Sequence, residues 1–377
     1  MTLENKHIET RMVPPADGRA IGSGQAASVS PNEAVDGPAR QSFALSSRFA
    51  VAPMIDWTDR HCRYFHRQLT SRAKLFTEMI VDEAVLHGDL ERLLGFDDAE
   101  HPVALQLGGS DPEKLHRATT IALDFGYDEI NLNVGCPSDR VQSGTFGACL
   151  MRDPALVGAC LSAMVDAANG VPVTVKCRLG VDEQDPGPAL DALADEAIAA
   201  GVSGIWVHAR KAWLQGLSPR ENREIPPLDH ERVRRLKARL GAPFVGVNGG
   251  LKTLDHASAV MANGAEGALD GVMLGRAAYQ TPDLLTGVDA AFYGEPHSSF
   301  DYDRLIETMV EYAAGHVAAG GKLNHVTRHM TGLFSGRPGA RRWRQLLSEG
   351  TTRPGASPDL IREAFRLVRL EPASAAA

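Results

Sequence analysis

From Phe49 onward the chain alternates short aliphatic and β-branched runs with longer stretches whose apolar positions recur every three or four residues. The short runs are FAVAPMI, KLFTEMIV, PVALQLG, YDEINLNVG, PVTVKCRLG, GIWVHA, PFVGVNG and GVMLG, eight in all. Such nearly continuous apolar runs predict strands covered on both faces, the condition of a parallel sheet. The stretches between them carry helix boundaries. In DPEKLHRATTIALDFG, Asp111 can cap, Pro112 fits the first turn and Gly126 ends the helix. Strand followed by helix, repeated eight times, predicts a (β/α)8 TIM barrel over residues 48–300, because eight units with right-handed crossovers close the sheet. An open, doubly wound sheet is the alternative architecture.

After about Asp301 the strand pattern stops. DYDRLIETMVEYAAGHV, KLNHVTRHMTGLF, PGARRWRQLLSE and SPDLIREAFRLV keep helical spacing, and Ser357 followed by Pro358 reads as a cap and first-turn proline. Residues 301–377 are therefore expected to form a small C-terminal helical domain. Residues 1–47 hold one aromatic, Phe43, amid Pro, Gly, Ala and Ser, which predicts a disordered tail. The GSGQAA segment at Gly22 to Ala27 matches a dinucleotide loop formally, but no strand precedes it and the reading fails.

With 377 residues, 44% of them hydrophobic, the chain can build one large core and a smaller module. No stretch approaches the roughly 20 apolar residues of a membrane span, and MTLENKHIET carries acids where a signal peptide is apolar, so a cytoplasmic protein is expected. Five cysteines without a CxxC pair suggest neither a disulfide framework nor a thiolate zinc site, and no metal site is read. The net charge of −8 speaks against a polyanion partner until its distribution is considered. From Gly320 on there are ten Lys and Arg against four Asp and Glu, a local +6 that leaves −14 on the first 319 residues. A basic end on an acidic body can grip a polyanion at one face.

In such barrels the active site lies at the carboxyl ends of the strands. Here those ends carry Pro53 and Met54, Gln106, Asn131 and Asn133, Lys176 and Arg178, His208, Asn248, and Gly275 with Arg276. In NLN and KCR the polar residues stand two apart and so face one side of their strand. One such residue is an ordinary loop anchor; seven strand ends together outline a cavity. The turns NGG (Asn248, Gly249, Gly250) and GRA (Gly275, Arg276, Ala277) follow the last two strands, where barrels hold phosphate through backbone N–H groups. Lys176 and His208 then point toward the ring system of a phosphorylated ligand, and Lys176 can stabilise charge at the N1 edge of a flavin. Cys136 lies in the long loop NVGCPSDRVQSGTFGACLM after the fourth strand. A thiol with the ordinary pKa of about 8.5 is mostly protonated at neutral pH and can serve as an acid without tuning. The other cysteines, Cys62, Cys149, Cys160 and Cys177, read as small buried hydrophobes.

PMIDWTD, QLGG, NLNVGCPS, VKCR, VHAR, NGG and GR, in this order and spacing from Phe49 to the C-terminal helices, resemble the signature of the tRNA-dihydrouridine synthases. RKAWLQGLSPRENREIPPL after the sixth strand and TRHMTGLFSGRPGARRWR at Thr327 to Arg344 resemble that family's A-type subgroup, which modifies uridines 20 and 20a of the tRNA D loop. The resemblance implies FMN as bound cofactor, NADPH as reductant and tRNA as partner. By the same carry-over Pro53, Met54 and Ile55 line the flavin ring, Gln106, Lys176 and His208 contact it, and Asn248, Gly249, Gly250, Gly275 and Arg276 hold its phosphate end. Hydride from reduced flavin N5 goes to uracil C6, Cys136 protonates C5, and Asn133 contacts the developing enolate or the flavin. Arg220 and Arg223 of the insertion and Arg341 and Arg344 of the helical end are expected to grip the tRNA, the latter two from a helix that starts at Pro338, with Trp343 as its anchor. Three other readings compete: a Schiff-base lyase using Lys176, a flavin-dependent barrel dehydrogenase of a small pyrimidine, and an RNA-binding protein without catalysis.

Overall fold

The computed structural model describes residues 38–137, 146–262, 267–353 and 355–370. Eight parallel strands close into a single barrel in chain order. They are β1 (Phe49–Val51), β2 (Lys74–Val81), β3 (Val103–Gly108), β4 (Glu129–Val134), β5 (Val173–Arg178), β6 (Gly204–His208), β7 (Phe244–Asn248) and β8 (Gly271–Leu274). β8 returns to β1 through the pairs Phe49 with Val272 and Val51 with Leu274, which closes the cylinder. Each expected run supplies one strand, and the open-sheet alternative is excluded. Helices cross between strands as the boundary signals require. Asp111 caps Pro112–Leu123 by accepting from the amides of Glu113 and Lys114, and Gly126 follows with φ 79°.

Two apolar layers result from the alternation along each strand. Outward residues such as Leu105, Leu107, Val175, Val207 and Val245 pack under the crossover helices. Inward residues Ala50, Ala52, Phe76, Ala104, Trp206, Phe244 and Met273 fill the barrel. The Trp206 indole fits because its neighbour on β7 is Gly246, where a Cβ would stand 2.3 Å from the ring. A polar column climbs beside this apolar filling. Lys74 Nζ reaches Glu129 at 2.6 Å, Glu129 accepts from Thr174 Oγ1, and Asn131 Nδ2 donates to Thr174 at 2.7 Å. From there Gln106 Nε2 donates to Asn131 Oδ1 at 2.7 Å, which carries the column to the carboxyl ends of the strands. Every buried polar group on it finds a partner, as burial demands.

The tail expected up to Ser47 needs correcting at its end. Pro38–Ser46 is a helix, and Phe43 is buried beneath the barrel, edge-to-face with Phe244 at 5.3 Å and 4.4 Å from Lys74 Nζ. One aromatic suffices because it closes the amino-terminal mouth of the barrel rather than forming a core of its own. The GSGQAA segment and Ser138 to Thr145 of the Cys136 loop lie outside the described residues.

Beyond the barrel come the helices Tyr302–Ala318, Leu323–Met330, Ala340–Gln345 and Leu360–Phe365. Two of them start later than the sequence suggests. The third begins at Ala340, not Pro338, because Gly339 takes a left-handed conformation with φ 92°. The fourth begins at Leu360, since the Ser357 hydroxyl accepts from the Asp359 amide at 3.2 Å in a turn that precedes the helix. Trp343 is buried and donates its indole N–H to the Met330 carbonyl at 2.9 Å. No helix among the described residues is long and apolar enough to cross a membrane.

Candidate active site

The carboxyl ends of the strands open into one cavity of about 2210 Å³. Its wall contains Pro53, Met54, Ile55, Gln106, Asn133, Cys136, Lys176, His208, Asn248, Gly249, Gly250, Gly275, Arg276 and Arg223. All the residues assigned from sequence to a cofactor therefore converge, although they come from six different strands and their loops. Arg220, Arg341 and Arg344 stand outside this wall. Arg220 is highly exposed, with its Nε 3.7 Å from Glu224, and Arg341 and Arg344 are exposed side chains without an ion-pair partner among the described residues.

Lys176 has no hydrogen-bond or ion-pair partner among the described residues. Burial, aided by the nearby Arg178 guanidinium, draws its ammonium from the ordinary 10.5 down to about 8. Lys176 is half-buried on the cavity wall, so its amine faces the cavity and is open to a ligand that brings a countercharge. His208 is the second incompletely satisfied group. Burial, then the Arg178 and Lys176 cations, holds its imidazole neutral well below the usual range, and its Nδ1 is buried without a partner.

The turn after β7 brings backbone close to these rings. Gly249 and Gly250 take φ values of 110° and 74°, and a Cβ on Gly250 would stand 2.3 Å from Leu228. Asn248 Nδ2 donates to the Met273 carbonyl at 2.7 Å, tying this turn to the end of β8. Arg276, expected to face a phosphate, is paired with Glu224 of the insertion at 2.5 Å. It joins the two loops, and any phosphate contact it makes shares the guanidinium with that carboxylate.

Cys136 is placed by its backbone. Its amide and that of Gly135 both donate to Asn133 Oδ1, at 2.9 and 3.0 Å, and its carbonyl accepts from Ala148 at 3.0 Å. Asn133 in turn donates to Gln106 Oε1 at 2.7 Å, so the column rising through the barrel ends by fixing the cysteine turn. With its carbonyl oxygen engaged twice, Asn133 has one amide N–H left for a ligand. Among the other cysteines Cys62, Cys160 and Cys177 are buried, whereas Cys149 is partly exposed and reaches the Phe146 carbonyl at 3.0 Å.

Three residues of the site carry roles that the sequence does not assign. Arg178, buried at the end of β5, donates to the carbonyls of Gly135, Lys211 and Asn222 at 2.8, 3.1 and 3.0 Å. It braces the cysteine turn against the insertion; the KCR spacing shows its direction but not its targets. Buried Asn222 folds the insertion on itself, accepting from the Trp213 amide at 2.7 Å and donating to the Trp213 carbonyl at 2.8 Å. Glu78 is a carboxylate on the cavity wall, its pKa raised by burial, and nothing in the β2 run distinguishes it.

A closed parallel barrel with lysine, imidazole, amide and thiol groups gathered over the carboxyl ends of its strands defines a barrel enzyme with its chemistry in the strand-end loops. The chain belongs to the dihydrouridine synthase family, whose model, described as "Dihydrouridine synthase (Dus)", matches residues 50–368. It is 53% identical over 324 residues to the tRNA-dihydrouridine(20/20a) synthase of Xanthomonas axonopodis pv. citri, covering 86% of this chain and 94% of that protein. Over 332 residues it is 48% identical to the tRNA-dihydrouridine(20/20a) synthase of Escherichia coli K12, covering 88% and 94% of the two chains. Among solved structures, morphinone reductase aligns with a TM-score of 0.47 and 13% identity over 68% of this chain and 88% of that one, too slight a likeness to carry an argument.

Proposed function

We propose that the chain reduces uridine to 5,6-dihydrouridine in the D loop of tRNA, at positions 20 and 20a, in the cytoplasm, with FMN bound in the cavity and NADPH as reductant. The observation that carries this reading is Lys176, an unpaired ammonium on the wall of a cavity that also presents the orphaned His208 Nδ1 and two left-handed glycines. Those features suit a flat heteroaromatic ring with a charged edge and a phosphate tail. Pro53, Met54 and Ile55 supply apolar surface for the ring, Gln106, Lys176 and His208 polar contacts to it, and Asn248, Gly249, Gly250, Gly275 and Arg276 the phosphate end.

When bound, the flavin would supply the hydride needed at C6 of the uracil ring. Cys136 donates the proton that completes C5, and the hydrogen bonds to its backbone hold the cysteine turn in place. Asn133 acts chiefly as a positioning residue for Cys136 and offers its remaining N–H to charge developing on the ring. The base must leave its stack to enter the cavity, which is least costly in a loosely held D loop. Arg220 and Arg223 on the insertion and Arg341 and Arg344 beyond it are the proposed phosphate contacts. An absorbance scan tests cofactor and cavity together. The purified protein is expected to be yellow, with noncovalent FMN released on denaturation; a colourless protein that takes up no added FMN contradicts the proposal.

The depressed pKa of Lys176 also suits a Schiff-base nucleophile. Membership of the dihydrouridine synthase family weighs against that chemistry, and borohydride trapping of a carbonyl substrate on Lys176 would be needed to revive it.

A further inference from the structure

Where the C-terminal helices meet the barrel, three imidazoles face one another. We propose that His61, His316 and His325 form a site for one divalent transition-metal ion, zinc in the first instance. His61 stands in the first turn of the helix Arg60–Leu69, His316 near the end of Tyr302–Ala318 and His325 near the start of Leu323–Met330. One nitrogen from each lies within 4.8 Å of the other two. In a tetrahedral zinc site with Zn–N bonds near 2.05 Å, ligand nitrogens are about 3.3 Å apart. His316 Nε2 and His325 Nδ1 are already 3.2 Å apart, close to that spacing.

The surroundings fit a ligand set rather than an incidental cluster. The Nδ1 of His61 is 2.8 Å from the Tyr312 hydroxyl, which leaves its Nε2 for an ion. An imidazole ligand whose second nitrogen is held by a polar partner is the usual outer arrangement of zinc sites. Tyr312 is itself fixed by stacking on Tyr64, ring centroids 3.8 Å apart at 10°. Arg60, the nearest cation on the same helix, is directed at the main-chain carbonyls of Glu91 and Arg92. His325 is exposed and the other two are partly so, leaving access and a fourth position for water. Because one ligand belongs to the barrel and two to the C-terminal helices, a bound ion would stiffen the joint between them. The sequence shows no ligand motif here, since His61 is far in the chain from its two partners.

The alternative is a plain N–H···N bond between His316 and His325 with no ion. The full chain as purified, stripped by chelator and dialysed, is titrated with Zn²⁺ by calorimetry and with Co²⁺ by visible absorbance. One ion per chain is expected, with the strong visible bands of tetrahedral Co²⁺. His61→Gln and His325→Gln should each weaken Zn²⁺ binding at least about 10-fold, and Tyr312→Phe by about 10-fold through loss of the outer partner. Cys136→Ala should leave it unchanged. Absence of saturable binding at one ion per chain overturns the proposal, as does binding that persists unaltered in both histidine variants. If a variant fails to fold by circular dichroism, the wild-type Co²⁺ spectrum decides, and the weak bands of octahedral Co²⁺ overturn the site.

Discussion

The Lys176 ammonium is half-buried on the cavity wall, has Arg178 as a like-charged neighbour, and lacks a countercharge among the described residues. Its folded pKa of about 8 lies below its ordinary 10.5, so the apo fold gains relative stability as pH rises between these values and is penalised at lower pH. An anionic ligand edge reverses that penalty only while Lys176 is protonated. FMN binding to the apoprotein is therefore expected to weaken as pH rises above about 8, by up to about tenfold per unit, and Lys176→Met should flatten the profile. Fluorescence-quenching titrations from neutral to alkaline pH measure this; an affinity that rises above pH 8 in the wild type contradicts it. Cys136 is tested separately. Cys136→Ala should leave flavin reduction by NADPH nearly intact while dihydrouridine formation falls about 100-fold or more, the size of a general-acid contribution. A normal rate of product formation in that variant removes Cys136 as the acid. The strand-end residues are legible in the sequence because i and i+2 positions share a face, and because polar residues in otherwise apolar runs stand out. What they touch is not legible. Arg178 meets a carbonyl 43 residues away and Arg276 a carboxylate 52 residues away, pairings that only barrel closure creates.

The eight strands are readable because strands buried on both faces must be apolar nearly throughout, and because caps such as Asp111 and Gly126 punctuate the helices between them. The helix Pro38–Ser46 escapes notice because composition averages it into a polar segment, whereas Phe43 alone decides its fate by fitting under Phe244. The late start of Ala340–Gln345 is hidden for another reason: proline at 338 is compatible with a first turn, and only the left-handed Gly339 postpones it. The helix nevertheless leaves Arg341 and Arg344 exposed while Trp343 is buried. Replacing both arginines by Ala should weaken tRNA binding and lower its salt slope by roughly one unit for each phosphate no longer neutralised. Oxidation of NADPH by the flavin should not change, since that half-reaction needs no RNA. Filter-binding titrations at several salt concentrations give both quantities; unchanged affinity and slope would leave the strand-6 insertion as the sole grip.

Across the whole chain, a net charge of −8 conceals a basic C-terminal end, and the structure gives that asymmetry a location. His325 and Arg328 from the C-terminal helices reach the wall of the cavity that the barrel strands open. Arg328 also pairs with Asp59 at 2.5 Å, and buried His329 with the same carboxylate at 3.0 Å, so the helices are fastened beside the site. A polyanion held by the basic end, as proposed, would lie next to the barrel's cavity, and the net charge would then be no objection. Whether this cavity saturates a uracil ring in tRNA is decided by nucleoside analysis, by mass spectrometry, of D-loop-unmodified tRNA incubated with the protein and NADPH. Dihydrouridine, two mass units above uridine, should appear at positions 20 and 20a and depend on both enzyme and NADPH; tRNA whose uridines all survive incubation with FMN-loaded protein and NADPH would contradict the account.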